Sequence, residues 1–407
     1  MKSLRDLYKI GPGPSSSHTL APQFACQLFL EHYPEAVRFE VDLYGSLALT
    51  GKGHHTDMIM EKTLSPKPVS ISFKENWAES FPSGLEIRGY DAFYQLCGEW
   101  VVFSLGGGSI EIKGLDLGLN QEIYPEKNLE EIKQFCQSND YDFVDYVRYY
   151  EREVEEHLGK TVEQMILTVK TGLNETGILP GRLQLERVAK GLYLQYQNCE
   201  SESERQKLLL YSFAYAASEE NAAGGVCVTA PTLGSSGVLA ALVYYYYHYL
   251  GTTQEKLVKA LMVAGVFGNI VKQNASISGA VGGCQAEIGV ACAMGAAFAS
   301  YLDGASLAEI EYAAEIGIEH HLGLTCDPVG GYVMIPCIER NAVATVRALD
   351  ASSLAQYISR IKKNRISFDN IVNTMNYTGE KLAIELKETS LGGLALEIDL
   401  EKKEEKE

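Results

Sequence analysis

The chain has 407 residues, of which 46% are hydrophobic and 22% are charged, as is usual for a globular protein of two or three domains. Its 53 acidic side chains outnumber the 35 basic ones and give a formal net charge of -18. A surface of this sign repels nucleic acid phosphates and anionic lipids, so we expect neither nucleic acid nor a membrane as a partner.

The N-terminus has no apolar segment or cleavage site of the kind found in a signal peptide. The two most apolar segments, Ala240–Tyr247 and Ile288–Tyr301, are shorter than the ~20 residues that a membrane-spanning helix needs. We therefore expect a cytoplasmic protein in which both segments are buried core helices.

The N-terminal part of the chain carries strand patterns and the remainder carries helix patterns. Apolar and polar residues alternate at the start of Arg38–Leu49, and three further strand-like runs are Val69–Phe73, Glu99–Leu105 and Ile110–Lys113. The three glycines at 106–108 predict a tight bend between strands. From Asn128 onwards the hydrophobic period becomes 3.6 residues.

These patterns predict an α+β protein. We expect a small N-terminal α/β domain over residues 1–127, in which 114–127 is the linker to the next domain. A mostly α-helical C-terminal domain should occupy 128–398, and a charged, disordered tail should occupy 399–407.

The first loop that carries candidate catalytic or binding side chains is Gly13-Pro-Ser-Ser-Ser-His-Thr19. It places His18 and the hydroxyls of Ser15, Ser16, Ser17 and Thr19 just before a helix predicted to begin near Ala21. Ser17 or Thr19 is the expected N-cap, and the positive end of a helix favours a small anion such as a carboxylate. The alternative is a capping loop with an exposed histidine.

The second loop is Thr50-Gly-Lys-Gly-His-His-Thr-Asp57. Lys52, His54 and His55 are groups able to hold or move protons, although paired loop histidines are often without function. The spacing of a phosphate-binding P-loop is missing. Lys74 is followed by Glu75 and Asn76, which disfavours a pyridoxal-phosphate lysine.

Polar, glycine-rich turns separate the apolar helices of the C-terminal part. They include Asn221–Gly225, Ala230–Gly237 and Asn274–Gly279. Buried polar loops need hydrogen-bond partners, so we interpret them as a binding site for a small polar ligand, with hydrogen bonding among the loops as the alternative.

Nine cysteines without an export signal favour free thiols or metal ligands over disulfides. Cys284 should lie in the first turn of a helix over Gln285–Tyr301, and Cys337 at the start of a helix over Ile338–Leu349. Cys326 should follow the helix Ser306–His321, which opens with a capping box. Helix N-termini should lower the pKa of the Cys284 and Cys337 thiols.

The cysteine spacings of 42 and 11 residues are too wide for a zinc ribbon or finger. Three thiols without a fourth suit a [4Fe–4S] cluster with one open iron, although Cys292 remains a possible ligand. The other cysteines need no role; they are Cys26, Cys97, Cys136, Cys199 and Cys227.

Taken together, the motifs resemble those of the iron–sulfur-dependent bacterial L-serine dehydratases, in the form that joins both regions in one chain. Motifs matching that family run in order along nearly the whole sequence: 13–19, 42–57, 105–108, 220–225, 229–232, 274–280, 283–292, 319–328, 335–341 and 389–395. Leu233, Val281 and Leu391 stand where the family commonly has other residues.

The resemblance implies that Cys284, Cys326 and Cys337 hold a [4Fe–4S] cluster and that Cys292 is a core thiol. It implies acid/base histidines at His18 and His54, with His55 adjacent. It also implies substrate contacts from three loops, at these residues: Ser15, Ser16, Ser17, Thr19, Lys52, Asn274, Ser276 and Ser278.

The implied reaction is dehydration of L-serine to aminoacrylate and then to pyruvate and ammonia, with an open iron as Lewis acid and a histidine, His54 by preference, as base. The expected assembly is an oxygen-sensitive homodimer. A related lyase acting on L-cysteine is the alternative within enzymes, and an amino-acid sensor with incidental cysteines is the alternative outside them.

Overall fold

The computed structural model describes residues 1–118 and 121–398, and the predicted tail at 399–407 lies outside them. The predicted α+β class is confirmed. The strands are β1 (Ile10–Pro12), β2 (Arg38–Gly45), β3 (Val69–Phe73), β4 (Ser83–Tyr90), β5 (Leu96–Gly106), β6 (Ser109–Ile112) and β7 (Val226–Val228). The first eight helices are α1 (Ala21–His32), α2 (Ser46–Leu49), α3 (Thr56–Leu64), α4 (Leu129–Asn139), α5 (Phe143–Tyr150), α6 (Val154–Asn174), α7 (Ala189–Asn198) and α8 (Glu202–Ala222). The others are α9 (Ser236–Tyr244), α10 (Gln254–Asn274), α11 (Gly279–Gly282), α12 (Ile288–Leu302), α13 (Leu307–Glu319), α14 (Cys337–Ser359), α15 (Phe368–Lys381) and α16 (Leu394–Glu397).

The main sheet has five strands in the order β3-β2-β4-β5-β6, with β2 and β3 parallel and the other pairs antiparallel. Alternate residues of β2 point to opposite faces, so Phe39, Val41 and Leu43 are buried against helices α1 and α3. Asp42 on the other face forms an ion pair with Arg88. The sheet therefore has one covered face, as its alternating sequence predicts.

The core of the helical part is built around α12. Every residue from Ile288 to Ser300 is buried, and α10, α13 and α14 pack around it. A helix that is apolar on all sides must be central, which confirms that the segment Ile288–Tyr301 is a core helix. In the described part of the chain, no helix is both long and apolar enough to cross a membrane.

The first residues of the chain belong to the helical core. Met1, Leu4, Leu7 and Tyr8 are buried there, and β1 pairs with β7 in an antiparallel ribbon. The sheet and the helical part are thus connected by this segment as well as by the predicted linker. The division at residue 127 stays a prediction.

Two local predictions differ from the structure. The chain already turns at Ser16, in a π-helical turn that runs into α1, so the prediction of an N-cap at Ser17 or Thr19 is wrong. The helix after Cys284 begins at Ile288 rather than Gln285, because Cys284–Ala286 form a separate 3-10 turn. The capping box at Ser306 and the bend at 106–108 are confirmed.

Candidate active site

Cys284, Cys326 and Cys337 line one small enclosed cavity, although they come from three separate segments of the chain. The same cavity is lined by His54 and Ser15 from the N-terminal part. The structure therefore brings the predicted metal ligands and one predicted histidine together.

Each cysteine is positioned by the backbone around it. Gly283, with a φ of 73°, turns the chain into the short helical turn that carries Cys284. The backbone N–H of Cys326 donates to Leu386 at 2.8 Å, and its carbonyl accepts from the N–H of Glu388 at 2.6 Å. Cys337 is the first residue of α14.

Gly279 faces the cysteines with a bare α-carbon. A Cβ at this position would lie 3.0 Å from Cys326 Sγ and 2.9 Å from a carboxylate oxygen of Glu287. The space beside the thiols therefore depends on glycine, and no larger residue fits without displacing them.

Two carboxylates, Glu287 and Glu388, also line the cavity. Glu287 Oε1 accepts a hydrogen bond from Thr232 Oγ1 at 2.7 Å, and Glu287 Oε2 lies 4.0 Å from Cys326 Sγ. Glu388 Oε1 lies 3.8 Å from Nδ1 of His18. We did not predict either residue from the sequence. The available signal was that Glu287 lies three residues after Cys284 and that Glu388 immediately precedes the C-terminal motif at 389–395.

The acidic side chains of the cavity lie close together and are buried, so ionisation of each one is disfavoured. The hydrogen bond with Cys284 and burial raise the pKa of the Cys326 thiol, and burial and the charge of Cys284 raise that of Cys337. Burial raises the pKa of Glu287 to about 7. The predicted lowering of the Cys337 pKa is therefore wrong, because burial, followed by the charges of Cys284 and Glu287, outweighs the helix N-terminus.

His18 and His54 are stacked, with ring centroids 4.1 Å apart and an angle of 18° between the rings. Nδ1 of His54 lies 2.9 Å from the carbonyl oxygen of Thr50, so it carries the proton and leaves Nε2 as the basic nitrogen. Nε2 of His18 lies 2.9 Å from Thr50 Oγ1, and Nδ1 of His18 lies 3.2 Å from Ser15 Oγ.

Burial keeps both rings neutral. It lowers the pKa of His54 to about 4, with His55 adding to the shift and the Thr50 hydrogen bond opposing it. Burial and the charge of His54 likewise lower the pKa of His18 well below its usual value. His54 is therefore in its basic form at neutral pH.

A glycine positions the histidine loop against the helical part. A Cβ on Gly53 would lie 2.6 Å from the carbonyl oxygen of Gly331, so only glycine permits this approach. The turn containing Gly331 follows Pro328, which lines the cysteine cavity. This contact holds His54 beside Cys326.

The remaining predicted site residues divide into two groups. Ser278 is buried, and its Oγ has no hydrogen-bond partner in the described part of the chain, while Ser276 Oγ accepts from the Ser278 N–H at 3.0 Å. Thr19 Oγ1 donates to the carbonyls of Pro12 and Ser15, and Ser16 and Ser17 are buried in the same turn.

The second group, Lys52, Asn274 and His55, does not line the cysteine cavity. Lys52 is exposed, with Nζ 5.3 Å from the centre of the Phe73 ring. Asn274 donates to the carbonyl of Lys127 at 2.8 Å. His55 begins α3 in a left-handed conformation and does not line the cavity.

The donor set is compatible with a metal cofactor. Three thiols and two carboxylates in one enclosed space need a multiply charged cation to remain ionised together. Among the residues described, Cys284, Cys326 and Cys337 are the only cysteines that line the cavity. Ser278, which precedes Gly279 in the sequence, adds a buried hydroxyl without a hydrogen-bond partner among the residues described.

Comparison with known proteins assigns the chain to a family. The sequence models described as Serine dehydratase beta chain and Serine dehydratase alpha chain match residues 3–67 and 74–395. The chain belongs to the serine dehydratase family. The two matches of this family meet around β3, within the sheet, whereas the sequence patterns placed the domain boundary at residue 127.

Members of the serine dehydratase family resemble the chain along its whole length. L-serine dehydratase 1 of Escherichia coli (strain K12) is 35% identical over 98% of this chain and 99% of its own. L-serine dehydratase of Haemophilus influenzae is 36% identical with the same coverage, and that of Streptomyces coelicolor is 34% identical over 97% and 99%. The first alignment spans 459 positions, so that relative carries segments that this chain of 407 residues lacks.

Proposed function

We propose that the protein is an L-serine ammonia-lyase, which converts L-serine into aminoacrylate and thence into pyruvate and ammonia. The observation that carries the proposal is the meeting of Cys284, Cys326 and Cys337 with His54 in one cavity. Support also comes from the relatives, which are named L-serine dehydratases.

The proposed cofactor is a [4Fe–4S] cluster held by Cys284, Cys326 and Cys337. When bound, such a cluster with one iron free of protein sulfur supplies a Lewis acid that makes a hydroxyl a better leaving group. Arg340 lies beside Cys284 and Cys337, and its guanidinium donates to the Thr325 carbonyl at 2.6 Å. It would offset negative charge on the thiolates and fix the loop that carries Cys326.

His54 is the proposed base. Its Nε2 is unprotonated because Nδ1–H donates to Thr50, and burial holds the ring neutral at physiological pH. In the proposed reaction Nε2 removes the α-proton of L-serine, and the β-hydroxyl leaves as hydroxide that takes up this proton to form water. The aminoacrylate that remains tautomerises to an imine, which water hydrolyses to pyruvate and ammonia.

The other polar groups of the cavity would orient the substrate. Glu388, next to His18, offers a carboxyl oxygen to the substrate ammonium, and the Ser15 hydroxyl, which also lines the cavity, offers a hydrogen bond to the substrate carboxylate. The buried hydroxyl of Ser278, which precedes Gly279 in the sequence, offers a second such hydrogen bond. His18 is already engaged with Thr50 and Ser15 on its two ring nitrogens, so its proposed part is to hold His54 and Ser15 in place.

The test is anaerobic reconstitution with iron and sulfide followed by a pyruvate assay on L-serine, with and without pyridoxal phosphate. We expect a brown, active protein that needs iron and gains nothing from pyridoxal phosphate. Cys326→Ser should lose the visible absorption and the activity, whereas Cys199→Ser, which alters a thiol outside the cavity, should keep both. Full activity without iron would contradict the proposal.

Two further measurements test the role of His54 and the identity of the substrate. His54→Gln should keep the cluster absorption while activity falls by roughly 10²- to 10⁴-fold, the usual contribution of a general base. L-cysteine tested in parallel distinguishes the related lyase, because turnover of L-cysteine above that of L-serine would reassign the substrate.

A further inference from the structure

A second cavity, of about 650 Å³, lies between the start of the chain and the sheet, away from the cysteines. Lys9 and Ser109 line it, and none of its lining residues lines the cysteine cavity. The family assignment and the proposed reaction leave this space without a role.

Two lysines meet at one hydroxyl beside this cavity. Lys9 Nζ lies 2.9 Å from Ser109 Oγ, and Lys272 Nζ lies 3.2 Å from the same atom. The two ammonium groups are thus at most about 6 Å apart, where like charges repel each other. Lys272 also donates to the backbone carbonyl of Asp6 at 3.1 Å.

Neither lysine forms an ion pair in the described part of the chain, although the charge of Asp6 acts on both at longer range. Among residues 1–118 and 121–398, no carboxylate oxygen lies within 4.0 Å of Nζ of Lys9 or Lys272. Ser109 Oγ accepts from both lysines, and within the same residues its own hydrogen has no acceptor. An ammonium has three N–H groups, so both lysines keep donors free as well.

Burial and mutual repulsion disfavour the charged forms of Lys9 and Lys272 when no anion is bound. Burial lowers the pKa of Lys9 to about 8, and burial together with the charge of Lys9 lowers that of Lys272 to about 7. Besides Lys9, the charged or titratable groups lining the cavity are Lys2, Arg5, Asp6 and His157, so cations prevail here in a chain whose formal charge is -18. Lys272 does not itself line the cavity but contacts the lining residues Asp6 and Ser109.

We propose that this cavity binds a small dianion through Lys9 and Ser109, with Lys272, which contacts the same Ser109 hydroxyl, adding positive charge. The ligand chemistry is that of a compact phosphate-like group or a short dicarboxylate, because two ammonium groups and one hydroxyl converge on a single point. The proposal is independent of the proposed reaction, since the two cavities share no lining residue.

Isothermal titration calorimetry on the full chain at pH 7.5 tests the proposal, with sodium sulfate and sodium succinate as probes and ionic strength held constant with sodium chloride. We expect one saturable site per chain for at least one probe. Lys9→Met and Lys272→Met should each weaken it at least tenfold. Lys207→Met, which removes an exposed charge outside the cavity, should leave it unchanged.

The better probe distinguishes the two sources of the ligand, a tetrahedral oxyanion or a dicarboxylate. Titration in Tris and in HEPES adds a measurement on the unaltered protein. Anion binding should be accompanied by proton uptake, because a dianion raises the lowered pKa values of both lysines. Absence of saturable binding, binding without proton uptake, or equal affinity in all three variants would overturn the proposal.

Discussion

Replacing His54 with glutamine should remove a large part of the stability loss that this protein suffers in acid. The folded pKa of His54 is about 4 and its ordinary value is 6.5. The unfolded chain therefore binds more protons between these two values, and acidification favours unfolding there. The loss is absent above pH 6.5 and grows as the pH falls towards 4.

The size of the effect follows from the pKa difference. One pKa unit corresponds to about 1.4 kcal/mol, so the full loss at and below pH 4 is about 3 kcal/mol, and about 2 kcal/mol of it is reached at pH 5. Above pH 7 both states hold a neutral ring, and this term vanishes.

Urea unfolding of the metal-free protein at pH 7.5 and pH 5 measures the effect. Wild type should lose about 2 kcal/mol more than His54→Gln between these conditions. His32→Gln, on the exposed end of α1, is the matched control and should behave as wild type. Equal losses in wild type and His54→Gln would refute the assignment of His54 as a buried neutral base.

Other predictions concern packing. Gly53→Ala should cost about 1–3 kcal/mol and lower activity, because its Cβ would meet the Gly331 carbonyl oxygen at 2.6 Å. Gly191→Ala, in open space on α7, should be neutral or stabilising by up to about 1 kcal/mol, and urea unfolding measures both glycine variants. Leu4→Ala should cost about 2–5 kcal/mol by urea unfolding, since Leu4 is buried in the helical core against Gly265. A loss below about 1 kcal/mol at Leu4 would contradict its place in that core.

Much of the fold could be predicted because local patterns decide it. Alternation identified β2 and β3, and a capping box identified the start of α13. Strand β4 was missed because Gly84 and Gly89 interrupt its pattern. Both glycines are needed for contact, since a Cβ would lie 2.6 Å from Trp77 and 2.7 Å from Phe29 respectively.

The candidate site could be predicted only as separate pieces. The three cysteines stood out among glycines and turns, but no local pattern indicates that Glu388 reaches His18 across 370 residues of sequence. That contact depends on the backbone pairing of the C-terminal segment with Cys326, which is a tertiary interaction. The same limit explains the thiol pKa values, which are set by neighbours from other segments.

The pairing of Cys326 with the segment around Glu388 has a consequence for how the protein is made. Ser46 Oγ, from the first eighth of the chain, lies 3.1 Å from the Glu388 carbonyl oxygen, so the cavity closes only between the two ends of the sequence. Contacts of such long range form late in folding. During synthesis on the ribosome, the contacts of Glu388 with Ser46 and His18 cannot form until residue 388 has been made. A metal cofactor inserted before that point would enter a site that Glu388 has not yet closed.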